Sequence, residues 1–308
     1  MKPLRYLLLL LVAAIACEQE LQAAHAPGAA GPSAEPASSN TTTEDVARNP
    51  AASRALPDPV ELVRRLKANQ NQLEERRKDY VCDFSEETRT LDSKGMLKKT
   101  ETKGYELFFD SGYPIARQVS KEGKPLGKHE AQKEGRRVDE EIKKDRELAE
   151  KHAKGNDENS DEVRVDQILH ATVIKNGRYE TYRGREVLVY DFEPNPQFKP
   201  HTRAESLANK LGGTVWIDAQ DVEVARLEAR LVDNYRVAGG LLGSVKTGSD
   251  LIVEQERVNG EVWLPLFLDF SLDARILLVK SVHERILDHF SSYRKFRIET
   301  TIKPAEQQ

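Results

Sequence analysis

VKTGSDLIVEQERVNGEVWLPLFLDFSLD, residues 245–273, alternates apolar and polar side chains on both sides of Asn259-Gly260. Asn-Gly suits the two positive-φ positions of a tight hairpin turn, so the two alternating runs read as antiparallel neighbours. Val262, Leu264, Leu266, Leu268, Phe270 and Leu272 share one face of the second run. Further alternating runs lie outward of it, at residues 186–193, 214–219, 222–237, 275–290 and 293–301. Between most of them the connections are short: 219–221, the glycine loop 238–243 and Asp273-Ala274. Successive hairpins build an antiparallel meander, and the absence of β-α-β alternation argues against a doubly wound sheet. Residues 222–237 and 275–290 would each reach about 50 Å at roughly 3.3 Å per residue, and strands that long must twist and coil.

Upstream, Asp58-Pro59-Val60-Glu61 offers a helix cap, a proline at the first helical position and a capping-box glutamate. Val63, Leu66, Leu73 and Tyr80 follow near helical spacing, which predicts an amphipathic helix over 59–79. Strands then span 80–85, 96–109 and 115–121, with turns at 92–95 and 111–114. Residues 127–159 are densely charged and predict a charged helix with a thin apolar stripe, a solvated insertion or a partner contact. Val165, Ile168, Leu169 and Thr172 predict a second amphipathic helix over about 161–173. One apolar sheet face and two amphipathic helices have an economical solution: a long-stranded antiparallel sheet, α+β in class, curls into an unclosed half-barrel over two or three helices.

The amino terminus reads as an export signal. Lys2 and Arg5 precede a short apolar run from Leu7 to Ile15, too short to span a bilayer. Ile15-Ala16-Cys17 resembles the lipobox of bacterial lipoproteins, which implies a lipidated Cys17 and a membrane anchor; Ala14-Ile15-Ala16 also fits ordinary cleavage after Ala16. Residues 18–57 are rich in Ala, Pro, Ser, Asn and Thr and are expected to form a disordered tether before a domain over 58–303 and a tail at 304–308. The expected location is periplasmic and membrane-anchored, with the outer membrane favoured.

The 308 residues carry a net charge of −4, and no basic patch is interleaved with aromatics, so nucleic acid is not an expected partner. Cys17 and Cys82 are the only cysteines, and Cys82 sits in a strand-like run, so it is expected to be a small buried residue. His283 and His289 would stand roughly 20 Å apart on one strand, which excludes a shared metal. No nucleophile elbow, phosphate loop or paired-cysteine motif occurs, and neither an enzyme nor a cofactor is expected.

An exported chain with one capped helix, antiparallel strands, a helical insertion and a long-stranded meander resembles the LolA/LolB superfamily and its outer-membrane lipoprotein-sorting relatives. Locally the resemblance is carried by Gly213-Thr214-Val215-Trp216-Ile217-Asp218 followed by residues 222–227. It implies an unclosed β-barrel wrapped over helices around a cavity for acyl chains. On this reading Leu227, Leu231, Tyr235, Leu264, Leu266, Leu268 and Phe270 line an apolar groove, and Leu241 and Leu242, at the tip of the glycine loop, touch a membrane. The expected function is non-catalytic binding of a lipid or lipoprotein acyl chain, in lipoprotein sorting or envelope assembly. The alternative is an envelope sensor or protein-interaction module on the same fold.

Overall fold

The computed structural model describes residues 54–152, 165–237, 243–276 and 280–296. Cys17, Leu241, Leu242 and nearly all of the expected tether lie outside them. Helix α1 (Pro59–Arg77) opens as the sequence predicts: the Asp58 carboxylate accepts from the Val60 amide at 2.8 Å, and the Asp58 carbonyl accepts the first helical bond from Leu62. The capping box does not close, because Glu61 turns forward to pair with Arg64. An arginine one turn on offers a charged donor, which outcompetes a backbone amide.

Strands β1 (Tyr80–Leu91), β2 (Leu97–Asp110), β3 (Tyr113–Lys121) and β4 (Lys124–Pro125) form the amino-terminal meander. Helix α2 (Lys128–His152) and the short α3 (Val165–Ala171) follow. Then come β5 (Thr172–Tyr182), β6 (Arg185–Pro194), helix α4 (Arg203–Ala208), β7 (Leu211–Asp218), β8 (Val224–Leu231), β9 (Tyr235–Val237), β10 (Gly243–Val245), β11 (Asp250–Val258), β12 (Val262–Ile276) and β13 (Lys280–Lys295). The sheet runs β4-β3-β2-β1-β13-β12-β11-β8-β7-β6-β5, with β10 on β12 and β9 on β10. Every pairing is antiparallel, and the outermost strands do not pair with each other, so the barrel is unclosed.

The main core joins α1, α3 and α4 to one face of this sheet. Leu62 and Leu66 of α1, Ile168 and Leu169 of α3, and Ala204 and Ala208 of α4 bury against Leu188, Val215, Leu227 and Leu268. Phe84 stacks between Tyr105 and Phe290 at centroid separations of 4.8 and 5.1 Å, tying β2, β1 and β13 together. Cys82 is buried in the same cluster, as its strand position suggested.

Several elements depart from the sequence reading. The run 222–237 breaks into β8 and β9 at Val232-Asp233-Asn234. The expected connection Asp273-Ala274 lies inside β12, which pairs on to Ile276. β13 continues without a break through 291–292, while residues 277–279 and 297–301 lie outside the described residues. Strand β5 and helix α4 are additional. Helix α4 carries a complete capping box, with Thr202 Oγ1 accepting from the Glu205 amide and Glu205 accepting from the Thr202 amide.

The charged insertion is a largely exposed helix with the thin apolar stripe the sequence suggested, and a few of its side chains hold it to the sheet edge. β4 pairs only with Ser120 and Lys121, which leaves the outer edge of β3 open. Helix α2 lies against β3: the Glu134 carboxylate accepts the Gln118 amide at 2.8 Å, and the Arg137 guanidinium donates to the Ala116 carbonyl. Arg146 adds a bidentate pair to Asp110, both bonds 2.8 Å. Charged side chains here satisfy backbone groups that would otherwise template another strand.

Candidate functional site

Three hairpin connections meet at one end of the half-barrel. The pairings Val187↔Asp218, Trp216↔Arg226 and Arg226↔Glu254 align the start of β6, the end of β7, the start of β8 and the end of β11. The β5–β6 turn, the 219–223 connection and the β11–β12 turn therefore lie side by side. Arg183-Gly184 and Asn259-Gly260 both take the paired positive φ values of a tight hairpin. The carboxy-terminal half of α1 packs here: Arg77, itself buried, donates Nε to the Trp263 carbonyl at 3.1 Å and Nη2 to Gln255 Oε1 at 2.7 Å.

The 219–223 connection is strained and held. Val222 has a φ of +53°, a backbone region that β-branched residues avoid and that costs about 1–3 kcal/mol. Two side chains hold it in place. Asp218 accepts the amides of Gln220 and Asp221 at 3.1 and 2.8 Å, and Asn69 Nδ2 of α1 donates to the carbonyls of Asp221 and Val222. Burial by itself would raise the Asp218 pKa; the Arg185 guanidinium and the two amides outweigh it and hold the carboxyl below its ordinary value.

This loop delivers Asp221 to Trp263. Asp221 Oδ2 accepts indole Nε1–H at 2.9 Å and Arg185 Nη2 at 3.2 Å, and forms an ion pair with Arg257 Nε at 3.0 Å. The Arg185 guanidinium also sits 5.5 Å over the indole ring. The ring is thus fixed between two clefts. The larger, about 620 Å³, has buried Val187, Ala225 and Trp263 on its floor and Tyr182, Arg183, Arg185 and Arg257 among its lining residues. Arg183 pairs with Glu254, and Arg185 and Arg257 with the carboxylates described, yet a guanidinium carries five N–H donors and these pairings leave donors to spare. The smaller cleft, about 180 Å³, opens on the α1 side of Trp263 and is lined by Glu223. Burial pushes the Glu223 carboxyl up to about 8; Arg77 opposes the shift and Asp221 adds to it.

The residues expected to line an apolar groove are not gathered into one. Leu227 and Leu268 lie in the main core, Leu264 in a second cluster with Trp263, and Leu231 is buried elsewhere on β8. Tyr235, Leu266 and Phe270 are half-buried, and the Tyr235 hydroxyl donates to the Arg203 carbonyl at 3.4 Å. A bulge explains part of the scatter: Glu254 pairs with Phe267 and Gln255 with Pro265, which leaves Leu266 out of register. The residues that do converge, Arg185, Asp221, Glu223, Arg257 and Trp263, read in the sequence as one aromatic in a strand and four members of a solvated charge pattern. The one local signal was Asp218-Ala219-Gln220-Asp221, an Asx turn between two strands. Among the described residues no three His, Cys, Asp or Glu side chains could hold a metal, and no helix is long and apolar enough to cross a membrane.

No family model and no curated protein matches the chain. Similar solved structures include an outer membrane lipoprotein-sorting protein domain from Vibrio parahaemolyticus, with 10% identity over 80% of this chain and 96% of that one at a TM-score of 0.28. A DUF1329 family protein from Desulfovibrio piger has 9% identity over 80% of this chain and 93% of that one, at a TM-score of 0.29. MucB, solved in complex with MucA(peri), has 9% identity over 79% of this chain and 100% of that one, at a TM-score of 0.23. The unclosed antiparallel half-barrel over helices, the architecture that the LolA/LolB resemblance implies, is read from this chain's own strand order.

Proposed function

We propose that this chain is an exported, non-catalytic cell-envelope protein, tethered through Cys17, that binds a lipid or lipoprotein acyl chain in the cleft beside Trp263. The observation that supports this is the cleft of about 620 Å³ with an apolar and aromatic floor under arginines. Its size falls within the ~300–1,000 Å³ range of ligand pockets. An alkyl chain would lie along the Tyr182 ring and the exposed edge of the Trp263 indole, with Val187 and Ala225 closing the core behind them, and an anionic head would take the spare donors of Arg183 and Arg257. The ligand would then lie away from the groove that the sequence suggested, two of whose leucines, Leu227 and Leu268, belong to the core under the helices.

The test is lipid extraction and native mass spectrometry of the purified protein, followed by titration with a lysophospholipid read by tryptophan fluorescence. Retained lipid, and binding weakened by Arg183→Glu with Ala225→Phe, is the expected result. A lipid-free protein that binds no amphiphile would sink the proposal.

The same packing favours a second reading. Leu227, Leu231, Leu264 and Leu268 are nearly inaccessible, which is the dry interior of a protein-interaction module. On that reading the cleft end captures an envelope protein, and cross-linking from Arg183 in cells would recover one protein partner and no lipid.

A further inference from the structure

The smaller cleft carries a second site, independent of whether the larger one holds an amphiphile. It lies between Gln72, Leu73 and Arg76 of α1 and Glu223, Arg257 and Trp263. Two of the carboxylates around it already hold donors on one oxygen each. Asp221 has its three partners, and Glu261 accepts the Tyr80 hydroxyl at 2.6 Å and Lys295 Nζ at 2.7 Å. Glu223 differs: it is 2% exposed, it lines the cleft, and neither carboxyl oxygen accepts a hydrogen bond from any described residue. A carboxylate buried without donors is costly, and both of its oxygens lack one; they lie just behind the cleft wall, so a ligand must draw the carboxyl toward the cleft.

We propose that this cleft binds an alkylguanidinium, either an arginine side chain of a protein partner or a small free guanidine, with Glu223 as the bidentate acceptor. A guanidinium presents two parallel N–H groups to a carboxylate, whereas an ammonium presents a point charge. Leu73 and the Trp263 indole supply the apolar wall that a methylene stem needs. The volume suits one side chain and not a folded segment. The charged groups around Glu223 are Arg76 and Arg77 from α1, Asp221 from the loop, Arg257 from β11 and Glu261 from the β11–β12 turn. Asp221 is already shared by Arg185 and Arg257 and Glu261 is paired with Lys295, so the surrounding field stays net positive even with Glu223 ionised, and binding must come from the bidentate pair and the apolar wall.

Ethylguanidinium, a capped Gly-Arg-Gly peptide and butylammonium are titrated into the full chain, with binding read by tryptophan fluorescence and by amide shifts. Saturable binding of the guanidines is expected, tighter than that of butylammonium by about tenfold. It should tighten as the pH rises from 7 to about 9, because the bound cation favours the ionised carboxylate. Glu223→Gln should weaken it by about tenfold or more, and so should Gln72→Trp, an exposed substitution that blocks the mouth without touching the core. Peptide binding tighter than that of ethylguanidinium assigns the site to a protein partner; the reverse assigns it to a small molecule. Equal affinity for butylammonium, insensitivity to both variants, or affinity that falls with rising pH would each overturn the proposal.

Discussion

Glu223→Gln, with no ligand present, should stabilise the protein, and by an amount that depends on pH. In the unfolded chain this carboxyl titrates at 4.5 and in the fold at about 8, because burial penalises the charged form. Between those values the folded state keeps a proton that the unfolded chain has released. The stability linked to this group is therefore fully present below 4.5, falls as the pH rises toward 8, and is absent above. At ~1.4 kcal/mol per unit the difference amounts to ~5 kcal/mol. Glutamine keeps the shape and carries no charge, so the variant lacks this slope. Urea unfolding of both proteins at about pH 5, 7 and 9 measures it, with the slope of free energy on denaturant held common. The expected result is a small difference at the acid end that widens in favour of Glu223→Gln toward pH 9. Parallel pH profiles for the two proteins would show that Glu223 is solvated or paired in solution, and would remove the ground for the guanidinium site as well.

Other perturbations test the frame around the cleft. Gly213 of β7 lies where an added Cβ would overlap the Glu228 carbonyl oxygen of β8, so Gly213→Ala should destabilise by about 3 kcal/mol in urea unfolding, as overpacking does. Glu134→Ala with Arg137→Ala uncaps the Gln118 amide and the Ala116 carbonyl at the β3 edge. It should cost about 1–3 kcal/mol per buried group left unmet and raise self-association in sedimentation velocity, and a monomer of unchanged stability would refute the edge-capping role. Burial pushes the Cys82 thiol up to about 12, so the native protein should resist a thiol-specific reagent near pH 8 and react only after unfolding.

Legibility followed the range of each interaction. Helix α1 announced itself through Asp58, Pro59 and a regular apolar stripe, and the β11–β12 hairpin through Asn259-Gly260, because caps and turns are decided by a few adjacent residues. Helix α4 had the same kind of local signal in Thr202 and Glu205, and the polar composition around it masked the box. Strand β5 has a mostly exposed outer strand's mixed pattern, interrupted at Asn176-Gly177, and without a two-residue period it leaves little to read. The charge-rich stretch that became α2 could not be placed, since its Glu134 and Arg137 acquire meaning only from the edge of β3.

The candidate site shows the same division more sharply. The sequence by itself determined that the strands succeed one another as hairpins and that one apolar face must be covered by helices; periodicity and turn chemistry are local, and they suffice for that. Only the tertiary structure decided what the covered face does. Helices α1, α3 and α4 take up Leu227 and Leu268 as core, so those leucines do not form a groove. Register, set by a bulge at Leu266 and by the strained turn at Val222, then brings Arg185, Asp221, Glu223, Arg257 and Trp263 from four separate segments to one end of the sheet. Hydrogen bonds between residues 36 to 42 positions apart, such as Arg185 to Asp221 and Trp263 to Asp221, leave no periodic trace in the chain, because the alternation of a strand records which face a residue occupies and not which neighbour it meets there.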